Sequence, residues 1–370
     1  MKLRDFSFEL PDDRIAQQPL PERDASRLLL LSRAEGTWQD RAFGEFPELL
    51  RGDELVVVNN VRVIPARLLG RRRGDKSEPP GKQSRHLSEY LSAEIEVLLT
   101  RNIEDDVWEA LVRPGKKVRV GEHILFGGGE LEAEVIARGE LGIRQLRFSC
   151  LAGGLTNAVK DTIERLGHVP LPPYIRRGDE TSDRTRYQTV FARRGSAVAA
   201  PTAGLHFTDT ILKRMRDRGV EICELTLNVG LGTFQPIHAE EIERHAIHTE
   251  SYEIPEDTAA RIARAKMSGR PILAVGTTVI RALEDAARKA SAEGEQELLR
   301  SGSTEADIFI YPGHKFRVVD QVLTNVHLPR SSLLVMISAF AGRALTLAAY
   351  RHAIAANYRF YSYGDCVLIR

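Results

Sequence analysis

The pattern of residues 66 to 155 constrains the fold more than any other part of the sequence. Stretches such as AEIEVLLT, LEAEVIARG and GIRQLRFSC alternate apolar and polar side chains there, and turns that contain glycine, such as Pro114-Gly115, separate them. An alternation with a period of two is typical of strands with one buried face. A series of such short strands predicts a small antiparallel β-barrel.

The segments on both sides of this region have a different pattern. ELVVVNN (54–60) is typical of a buried strand, and after residue 155 strands such as VEICELTLNVG and PILAVG alternate with amphipathic helices such as DTILKRMRDRG. Strands that alternate with helices predict a sheet covered by helices. We therefore expect a layered α/β main domain, discontinuous at residues 1–65 and 156–370, with the antiparallel barrel inserted at 66–155. The polar segment 74–92 is expected to be a loop between two barrel strands.

Composition limits the class of protein. At 370 residues the chain is long enough for two domains. Its 52 basic and 51 acidic side chains nearly cancel, so the net charge gives no support for a nucleic-acid partner, although clustering of charge matters more than its sum. Three widely spaced cysteines offer neither a disulfide framework nor a CxxC metal site. Because the sequence has neither a signal peptide nor an apolar run of about 18 residues, we expect a cytoplasmic protein that does not contact a membrane.

Several common catalytic motifs are absent from the sequence. There is no GxxxxGKS/T phosphate loop, no GxGxxG after a first strand, no GxSxG elbow and no CxxC pair. Common NTPases, Rossmann dehydrogenases and α/β-hydrolases are therefore disfavoured.

Loops with small and polar residues follow the predicted strands instead. In AVGTTVIRALE a strand ends at Gly276, and a helix begins at Thr277 or Thr278. The free amides and positive end of such a helix are suited to a carboxylate or a phosphate. An ordinary capped helix start is the alternative interpretation.

Four further loops have a similar composition. APTAGLHFT combines a compact turn with a histidine and a phenylalanine, although a lone histidine is more often structural than catalytic. NVGLGTFQP carries a glycine-rich turn, LTNVHLPRSSLL carries an asparagine and a histidine, and YRFYSYGD ends in an aromatic and acidic group. Open α/β sheets bind ligands at the ends of their strands, so five such loops predict a polar pocket at one edge of the sheet. The residues of interest are Pro201, Ala203, Gly204, His206, Phe207, Gly230, Gly232, Thr233, Phe234, Asn325 and His327.

A cluster of histidines follows the glycine-rich turn. His238, His245, His248 and Glu250 lie within thirteen residues. They could form a metal site, they could supply a base for proton transfer, or they could have neither role. Their spacing is not a familiar zinc signature. We therefore predict no metal site.

The sequence resembles, nearly from end to end, the S-adenosylmethionine:tRNA ribosyltransferase-isomerase family of queuosine biosynthesis. The resemblance is carried by DFSFELPDDRIAQQPLPERDASRLL, VVNNVRVIPARL, GHVPLPPYI, DRTRYQTVFA, APTAGLHFT, LNVGLGTFQPI, HAIHTE, VGTTVIRALE, DIFIYPGHKF, LTNVHLPRSSLLVMISAFAG and YRFYSYGDCVLI. It implies transfer and isomerisation of the ribosyl part of S-adenosylmethionine onto 7-aminomethyl-7-deazaguanine at the wobble position of tRNAs with GUN anticodons, which are those for aspartate, asparagine, histidine and tyrosine. Epoxyqueuosine is the implied product, and adenine and methionine are released.

The resemblance also implies an α/β domain with a small inserted barrel, no metal, no permanently bound cofactor and, as we expect, a monomer. The sequence departs from the family pattern at Val61, Val326 and Cys366, and its polar segment at 74–92 is longer than expected. The loss of the usual threonine hydroxyl at Val61 puts any contact from that position in doubt. His245, His248 and Glu250 match the family pattern HxxHxE, whereas His238 has no counterpart in it.

The implied chemistry assigns roles to the candidate residues. The sulfonium acidifies the 5′ methylene, and the attacking amine must be neutral, so two proton acceptors are wanted. We expect them among His206, His248 and Asp365. The predicted substrate-binding residues are Asn60, Arg62, Pro201, Thr202, Gly204, Phe207, Gly230, Gly232, Thr233, Gly276, Thr277, Thr278, Arg281, Asn325, His327 and Tyr363. The predicted tRNA-binding residues, at the junction of the domains, are Arg67, Arg71, Arg72 and Arg73.

Two other functions stay open at this point. A methyltransferase would use the same cosubstrate but release S-adenosylhomocysteine. A non-catalytic RNA-binding protein would bind tRNA without the cosubstrate, although its sequence would have no reason to concentrate polar loops at strand ends.

Overall fold

The computed structural model describes residues 1–73, 94–139, 142–150, 158–230, 237, 239–292, 294 and 297–370. The predicted loop at 74–92 and the predicted site residues Gly232, Thr233, Phe234 and His238 lie outside the described residues.

Strands and helices alternate along the described chain. The strands are β1 (Arg27–Ser32), β2 (Thr37–Ala42), β3 (Leu55–Asn59), β4 (Val61–Val63), β5 (Arg67–Arg73), β6 (Glu94–Glu104), β7 (Val107–Arg113), β8 (His123–Phe126), β9 (Leu131–Arg138), β10 (Ile143–Cys150), β11 (Arg194–Ala197), β12 (Glu221–Leu227), β13 (Glu250–Ile254), β14 (Ile272–Val275), β15 (Gly302–Ala306), β16 (Gln321–Asn325) and β17 (Cys366–Ile369). The α-helices are α1 (Phe46–Leu49), α2 (Ala158–Leu166), α3 (Asp183–Arg186), α4 (Asp209–Asp217), α5 (Glu256–Met267), α6 (Thr277–Ala292), α7 (Ser332–Ala341) and α8 (Arg343–Ala355).

A nine-stranded mixed sheet organises the main domain. Its strands lie in the order β15-β13-β12-β3-β14-β16-β17-β1-β2. The central strands β12, β3, β14 and β16 are parallel to one another. Their carboxyl ends therefore meet at one edge of the sheet, and the loops that leave them are brought together there.

Helices cover both faces of this sheet. In β3 every residue is buried, and alternate side chains enter different cores because successive strand residues point to opposite faces. Leu55 and Val57 belong to the core beneath α5, α6, α7 and α8. Val56 and Val58 belong to the core on the other face, which includes Met215 of α4. A strand with a continuous apolar run, such as LVVV at 55–58, is suited to this double burial.

The second domain is a closed six-stranded antiparallel barrel. Its strands lie in the order β10-β7-β6-β5-β8-β9, and its core takes one residue in two from each strand, as in Ile95, Val97 and Leu99 of β6. The predicted α/β fold with an antiparallel barrel is confirmed. Helix α2, which the sequence places after the insertion, contributes Val159 and Ile163 to the barrel core. The domain boundaries at 65 and 156 stay predictions.

Both connections to the barrel lie side by side. Strand β4 leads into it and pairs with β11 in a small parallel sheet. At the base of β5 the backbones of Arg67 and His168 exchange two hydrogen bonds, of 3.2 and 2.7 Å. The barrel is thus attached next to the edge at which β3 ends, and it faces the loops that leave the parallel strands.

No single helix within the described residues is long and apolar enough to cross a membrane. Helices α7 and α8 reach that length and composition only together, and they are bent by 116° at their junction.

Candidate functional site

A small polar cavity lies at the edge of the sheet where β14 and β16 end. It encloses about 40 Å³, which is room for water molecules but not for a nucleoside. Three of the loops singled out by the sequence supply much of its wall. The predicted site residues that line it are Pro201, Thr202, Gly276, Thr277, Thr278, Asn325 and His327.

The start of α6 forms one side of this cavity. Gly276 has a φ of +92°, a backbone conformation that glycine adopts without strain and that turns the chain sharply from β14 into the helix. The amides of Thr277 and Thr278 have no hydrogen-bond acceptor among the described residues. Because the positive end of the helix dipole adds to these free donors, this corner favours an anionic group. The Asn59 amide nitrogen donates to the Thr278 hydroxyl at 3.5 Å.

A chain of hydrogen bonds runs from the opposite side of the cavity into the core. The Thr202 hydroxyl donates to Oδ1 of Asn325 at 2.8 Å. The amide nitrogen of Asn325 therefore lies toward Nε2 of His206, at 3.2 Å, and Nδ1 of His206 donates to the hydroxyl of Ser26 at 2.7 Å. The amide of Asn325 is fixed from both ends. It presents a defined polar surface to whatever occupies the cavity.

His206 itself lies behind the cavity wall. Its imidazole is buried and lines a different, smaller space together with Ser26, Arg23 and Arg186. Burial, together with the positive charges of Arg359 and Arg23, lowers the pKa of His206 to about 4. The ring is neutral at pH 7, and both of its nitrogens have protein partners. This geometry suits a residue that holds Asn325 in place.

His327 occupies the cavity wall with one nitrogen free. Nε2 lies 2.8 Å from the hydroxyl of Thr324, whereas Nδ1 is buried without a hydrogen-bond partner among the described residues. Burial lowers the pKa of His327 to about 3. A buried, unpaired polar atom is costly unless a ligand or water satisfies it. The free nitrogen is therefore a point at which a bound molecule can be held.

The turn that carries Thr202 rests on a cluster of aromatic rings. Phe207 is fully buried, and its ring makes edge contacts with Phe43 at 5.3 Å, Phe46 at 5.7 Å and Phe191 at 5.9 Å. A Cβ atom on Gly204 would lie 2.6 Å from the ring of Phe191, so only glycine allows this approach. Phe207 supports the turn from below, where its ring does not reach the cavity.

Arg281 stabilises the segment that carries His248 and Glu250. It forms an ion pair of 2.6 Å with Glu250, with both side chains buried, and it also donates to the backbone carbonyls of His248, Ala306 and Ile308. Glu250 accepts in addition the amide of Gly230 at 3.0 Å. The guanidinium thus holds four chain segments together. The imidazole of His248 is exposed, at the mouth of the site.

This segment borders two further spaces. A small one of about 30 Å³ shares Thr277, Thr278 and Leu333 with the first cavity. It shares His248 and Glu250 with a cleft of about 1020 Å³ between the sheet and the barrel. The three spaces therefore adjoin one another, and we treat them together as one continuous site, with a narrow floor at α6 and a wide opening toward the barrel. A cleft of this volume has room for a nucleoside and a nucleotide base together.

Asp365 and Tyr363 lie away from these spaces. Oδ1 and Oδ2 of Asp365 accept the backbone amides of Arg27 and Arg359, each at 2.8 Å, while burial raises the pKa of the carboxyl. The hydroxyl of Tyr363 donates to Asp183 at 2.8 Å. Both side chains fix the C-terminal loop that carries Tyr361.

The remaining predicted residues lie outside the continuous site. Asn60 is buried, donates to Glu224 and accepts from Thr226, so it ties β3 to β12. Arg62 forms an ion pair with Glu164. Three of the arginines predicted to bind tRNA are paired within the barrel at 3.1 to 3.3 Å: Arg67 with Glu96, Arg72 with Glu122, and Arg73 with Glu132. None of these side chains, nor Arg71, lines the cleft.

Sequence reasoning missed part of the cavity wall. Tyr174 and Tyr361 line it, with their ring centroids 4.0 Å apart, and the hydroxyl of Tyr174 is hydrogen-bonded to Ser362. Tyr361 has a φ of +74°, which is strained for a bulky residue and is typical of functional sites. The motifs GHVPLPPYI and YRFYSYGD contained these residues. Within the second motif, the sequence assigned roles to Tyr363 and Asp365 but not to Tyr361.

The three single-residue departures from the family pattern lie in the apolar interior. Val61, Val326 and Cys366 are fully buried. The doubt about Val61 concerned a lost hydroxyl, and the side chain lies in the core of the main domain instead of the cavity wall.

No group of three or more histidine, cysteine or acidic side chains in the described part of the chain could hold a metal ion. His245 makes an edge contact with the ring of Phe309 at 5.1 Å, so its imidazole belongs to the packing around His248.

Fold and site together define an α/β protein with an inserted antiparallel barrel and a small polar cavity that lies beneath a wide cleft. Comparison with known proteins narrows this class. The model of the family described as "Queuosine biosynthesis protein" matches residues 3–369. The chain belongs to that family.

Individual relatives agree with this assignment. The chain is 52% identical to the S-adenosylmethionine:tRNA ribosyltransferase-isomerase of Solibacter usitatus and 44% identical to that of Desulfitobacterium hafniense, and in both cases 100% of each chain is covered. It is also similar to the crystal structure of S-adenosylmethionine tRNA ribosyltransferase from Thermotoga maritima, with 33% identity, a TM-score of 0.52, and coverage of 99% of this chain and 100% of that one.

Proposed function

We propose that the chain is an S-adenosylmethionine:tRNA ribosyltransferase-isomerase of queuosine biosynthesis. The observation that carries the proposal is the continuous site, in which a polar floor at the start of α6 opens into a cleft of about 1020 Å³. A site of this shape accommodates two substrates at once, a small charged one below and a nucleotide above. The names of the full-length relatives support the same reaction.

The finer reaction follows from the resemblance in sequence. The ribosyl part of S-adenosylmethionine is transferred to 7-aminomethyl-7-deazaguanine at the wobble position of tRNAs with GUN anticodons. The product is epoxyqueuosine, and adenine and methionine leave. We further propose that the protein acts as a monomer in the cytoplasm, where tRNA is available.

The methionine tail fits the floor of the site. Its carboxylate would accept hydrogen bonds from the free backbone amides of Thr277 and Thr278, at the positive end of the helix dipole. Tyr361, whose ring lines the same cavity, offers a face for the sulfonium or the purine, since aromatic faces attract cations and stack on bases. The cavity of about 40 Å³ must widen for this molecule to enter.

Proton transfer is best assigned to the mouth of the site. One base must remove a proton from the 5′ methylene next to the sulfonium, and the attacking amine must lose its own proton. His248 is exposed in the cleft and its backbone is held by Arg281, so we place one acceptor there. The buried, neutral His206 acts in this scheme by holding Asn325, and Asp365 by holding the loop of Tyr361.

The test is a product measurement on tRNA that carries the aminomethyl deazaguanine precursor. With S-adenosylmethionine present, mass spectrometry of the nucleosides should detect epoxyqueuosine, and chromatography should detect adenine and methionine in equal amounts. Release of S-adenosylhomocysteine would indicate a methyltransferase instead. Binding of tRNA with no product of either kind would indicate a non-catalytic RNA-binding protein.

A further inference from the structure

The barrel side of the cleft carries positive charge that the chemistry at the floor does not use. Five cationic side chains line the cleft, against three carboxylates. Two of those carboxylates are already engaged: Glu109 pairs with Arg101 at 3.0 Å and Glu250 with Arg281 at 2.6 Å. The cleft therefore has an excess of positive charge that lies mainly on the barrel.

Three of these cations have no ion-pair partner in the part of the chain that the structure describes. Arg113, Lys116 and Arg138 are exposed, and among the described residues no carboxylate lies within ion-pair distance of any of them. Glu96 is directly opposite Arg113 on the neighbouring strand, but its carboxylate is held by Arg67 at 3.1 Å. We call Arg113, Lys116 and Arg138 the cleft cations.

The barrel is built in a way that maintains this charge. Arg138 on β9 lies directly opposite Arg144 on β10, although like charges at opposed positions in a sheet repel each other. The guanidinium of Arg144 is buried and donates to the carbonyls of Gly115 and Val118, at 2.8 and 3.2 Å. It thereby fixes the turn that carries Lys116, without a carboxylate to neutralise it among the described residues.

The position of the cleft cations points to one kind of partner. They face Gly230 and His248 across the cleft, on the side where a nucleotide must enter if its base is to reach the floor. A base that is brought into a site for chemistry leaves its phosphates at the rim, where cations meet them. Three separate, exposed cations suit a run of phosphates along a chain better than a single compact anion.

We propose that Arg113, Lys116 and Arg138 bind the sugar–phosphate backbone of the tRNA anticodon arm and thereby hold the wobble nucleotide over the floor of the site. The inference rests on the proposed function and deepens it. It replaces Arg67, Arg71, Arg72 and Arg73 as the predicted contact, because three of those four are neutralised by neighbouring carboxylates.

The experiment compares tRNA binding by three sets of variants over a range of salt concentrations. The first is Arg113→Gln, Lys116→Gln and Arg138→Gln, singly and together. The matched control is Arg119→Gln with Lys160→Gln and Arg351→Gln, three exposed cations that do not line the cleft and have no ion-pair partner among the described residues. The third set is Arg71→Gln with Arg72→Gln and Arg73→Gln. Circular dichroism and thermal melting check that each variant folds.

Each cleft cation that meets a phosphate should lower the slope of log K against log salt by about 0.7 to 0.9. The triple cleft variant should therefore lose a slope of about 2 to 3, and its KM for tRNA should rise by about a hundredfold, while KM for S-adenosylmethionine stays constant. The control should keep the slope of the wild type. Binding can be measured with an unmodified tRNA transcript, and turnover with the precursor-containing tRNA.

An unchanged slope in a folded cleft variant overturns the inference, as does a loss of slope confined to the Arg71–Arg73 set. Failure of the proposed function has a different signature. In that case the wild type itself releases no adenine from S-adenosylmethionine at saturating tRNA, whatever its salt dependence.

Discussion

The two walls of the cleft are built in opposite ways. On the sheet side the polar groups are buried and fixed by protein partners, as Asn325 is by Thr202 and His206. On the barrel side the side chains of Arg113, Lys116 and Arg138 are exposed and have no ion-pair partner among the described residues. Fixed polar groups favour one arrangement of reacting atoms, whereas exposed charges act over a distance and tolerate many arrangements. We therefore expect the sheet wall to determine turnover and the barrel wall to determine the affinity for tRNA.

The largest effect that separates the walls is expected from Asn325→Ala. The substitution removes an amide that is held at both ends, and kcat should fall by about a hundredfold, as for other oriented hydrogen-bond donors in active sites. The matched variant on the barrel wall is Asn102→Ala, whose side chain bonds only to the barrel backbone. Steady-state kinetics at saturating tRNA should show kcat of Asn102→Ala within about twofold of the wild type. An equal loss of kcat in Asn325→Ala and Asn102→Ala would contradict the expected difference between the two walls.

Gly276→Ala should have the next largest effect. With φ at +92° the substitution strains the turn and should cost about 1 kcal/mol of stability. Because the start of α6 would move, KM for S-adenosylmethionine should rise by about tenfold. Gly269→Ala is the control, since Gly269 also has a positive φ, of +69°, but follows α5, does not line the site, and has no atom within 4 Å of the position that an added Cβ would take. It should lose similar stability and keep the KM of the wild type. A rise in KM for both variants would mean that global destabilisation is the cause.

His206→Gln should change how stability depends on pH. The pKa of His206 is about 4 in the folded protein, because of burial, against 6.5 for an ordinary histidine. The unfolded chain therefore takes up a proton at higher pH than the folded one. The stabilisation from the neutral ring is complete above pH 6.5 and is lost as the pH falls toward 4.

Urea unfolding between pH 7 and pH 5 measures this effect. The free energy of unfolding of the wild type should fall by up to about 1.4 kcal/mol per pH unit more steeply than that of His206→Gln. His327→Gln should give a similar flattening, since the pKa of His327 is also lowered by burial, to about 3. Parallel curves for wild type and variants would show that neither ring is buried in solution.

The smallest effect is expected from Arg72→Gln with Arg73→Gln. The two substitutions remove the partly exposed ion pairs Arg72–Glu122 and Arg73–Glu132. Such pairs contribute about 0 to 1 kcal/mol each to the free energy of unfolding. Urea unfolding should therefore show a slight loss of stability, and KM for tRNA should stay within about twofold of the wild type. A large rise in that KM would move the tRNA from the cleft to the outer face of the barrel.

Regular structure could be predicted from the sequence because its signals are local. The alternation in AEIEVLLT and the apolar run in ELVVVNN depend only on which face of a strand is buried, and both patterns were interpreted correctly. The loops of the pocket followed from the same patterns, since parallel strands end at one edge of the sheet. Gly276, Asn325 and His327 were located in this way.

The sequence could not reveal contacts between side chains that are distant along the chain. Nothing near Arg72 or Arg73 indicates that Glu122 and Glu132 will lie beside them, because barrel closure brings those strands together. Nor does APTAGLHFT reveal that Ser26 and Asn325 take both nitrogens of His206. The sequence predicts Asn60 as a site residue, but it is the side chain of Asn59 that contacts Thr278 of α6. Neighbouring residues on a strand point in opposite directions, so an error of one position selects the wrong face.

The chain enters and leaves the barrel at adjacent points, and this position suggests how the two parts of the enzyme can be separated. Entry and exit are joined by the two hydrogen bonds between Arg67 and His168, so the chain leaves the main domain and returns to it at nearly one point. We therefore expect that the barrel can be removed, and that a short linker in place of residues 67–168 leaves the nine-stranded sheet contiguous. The main domain could then be studied alone, or joined to another RNA-binding domain, without a redesign of the polar cavity at the start of α6.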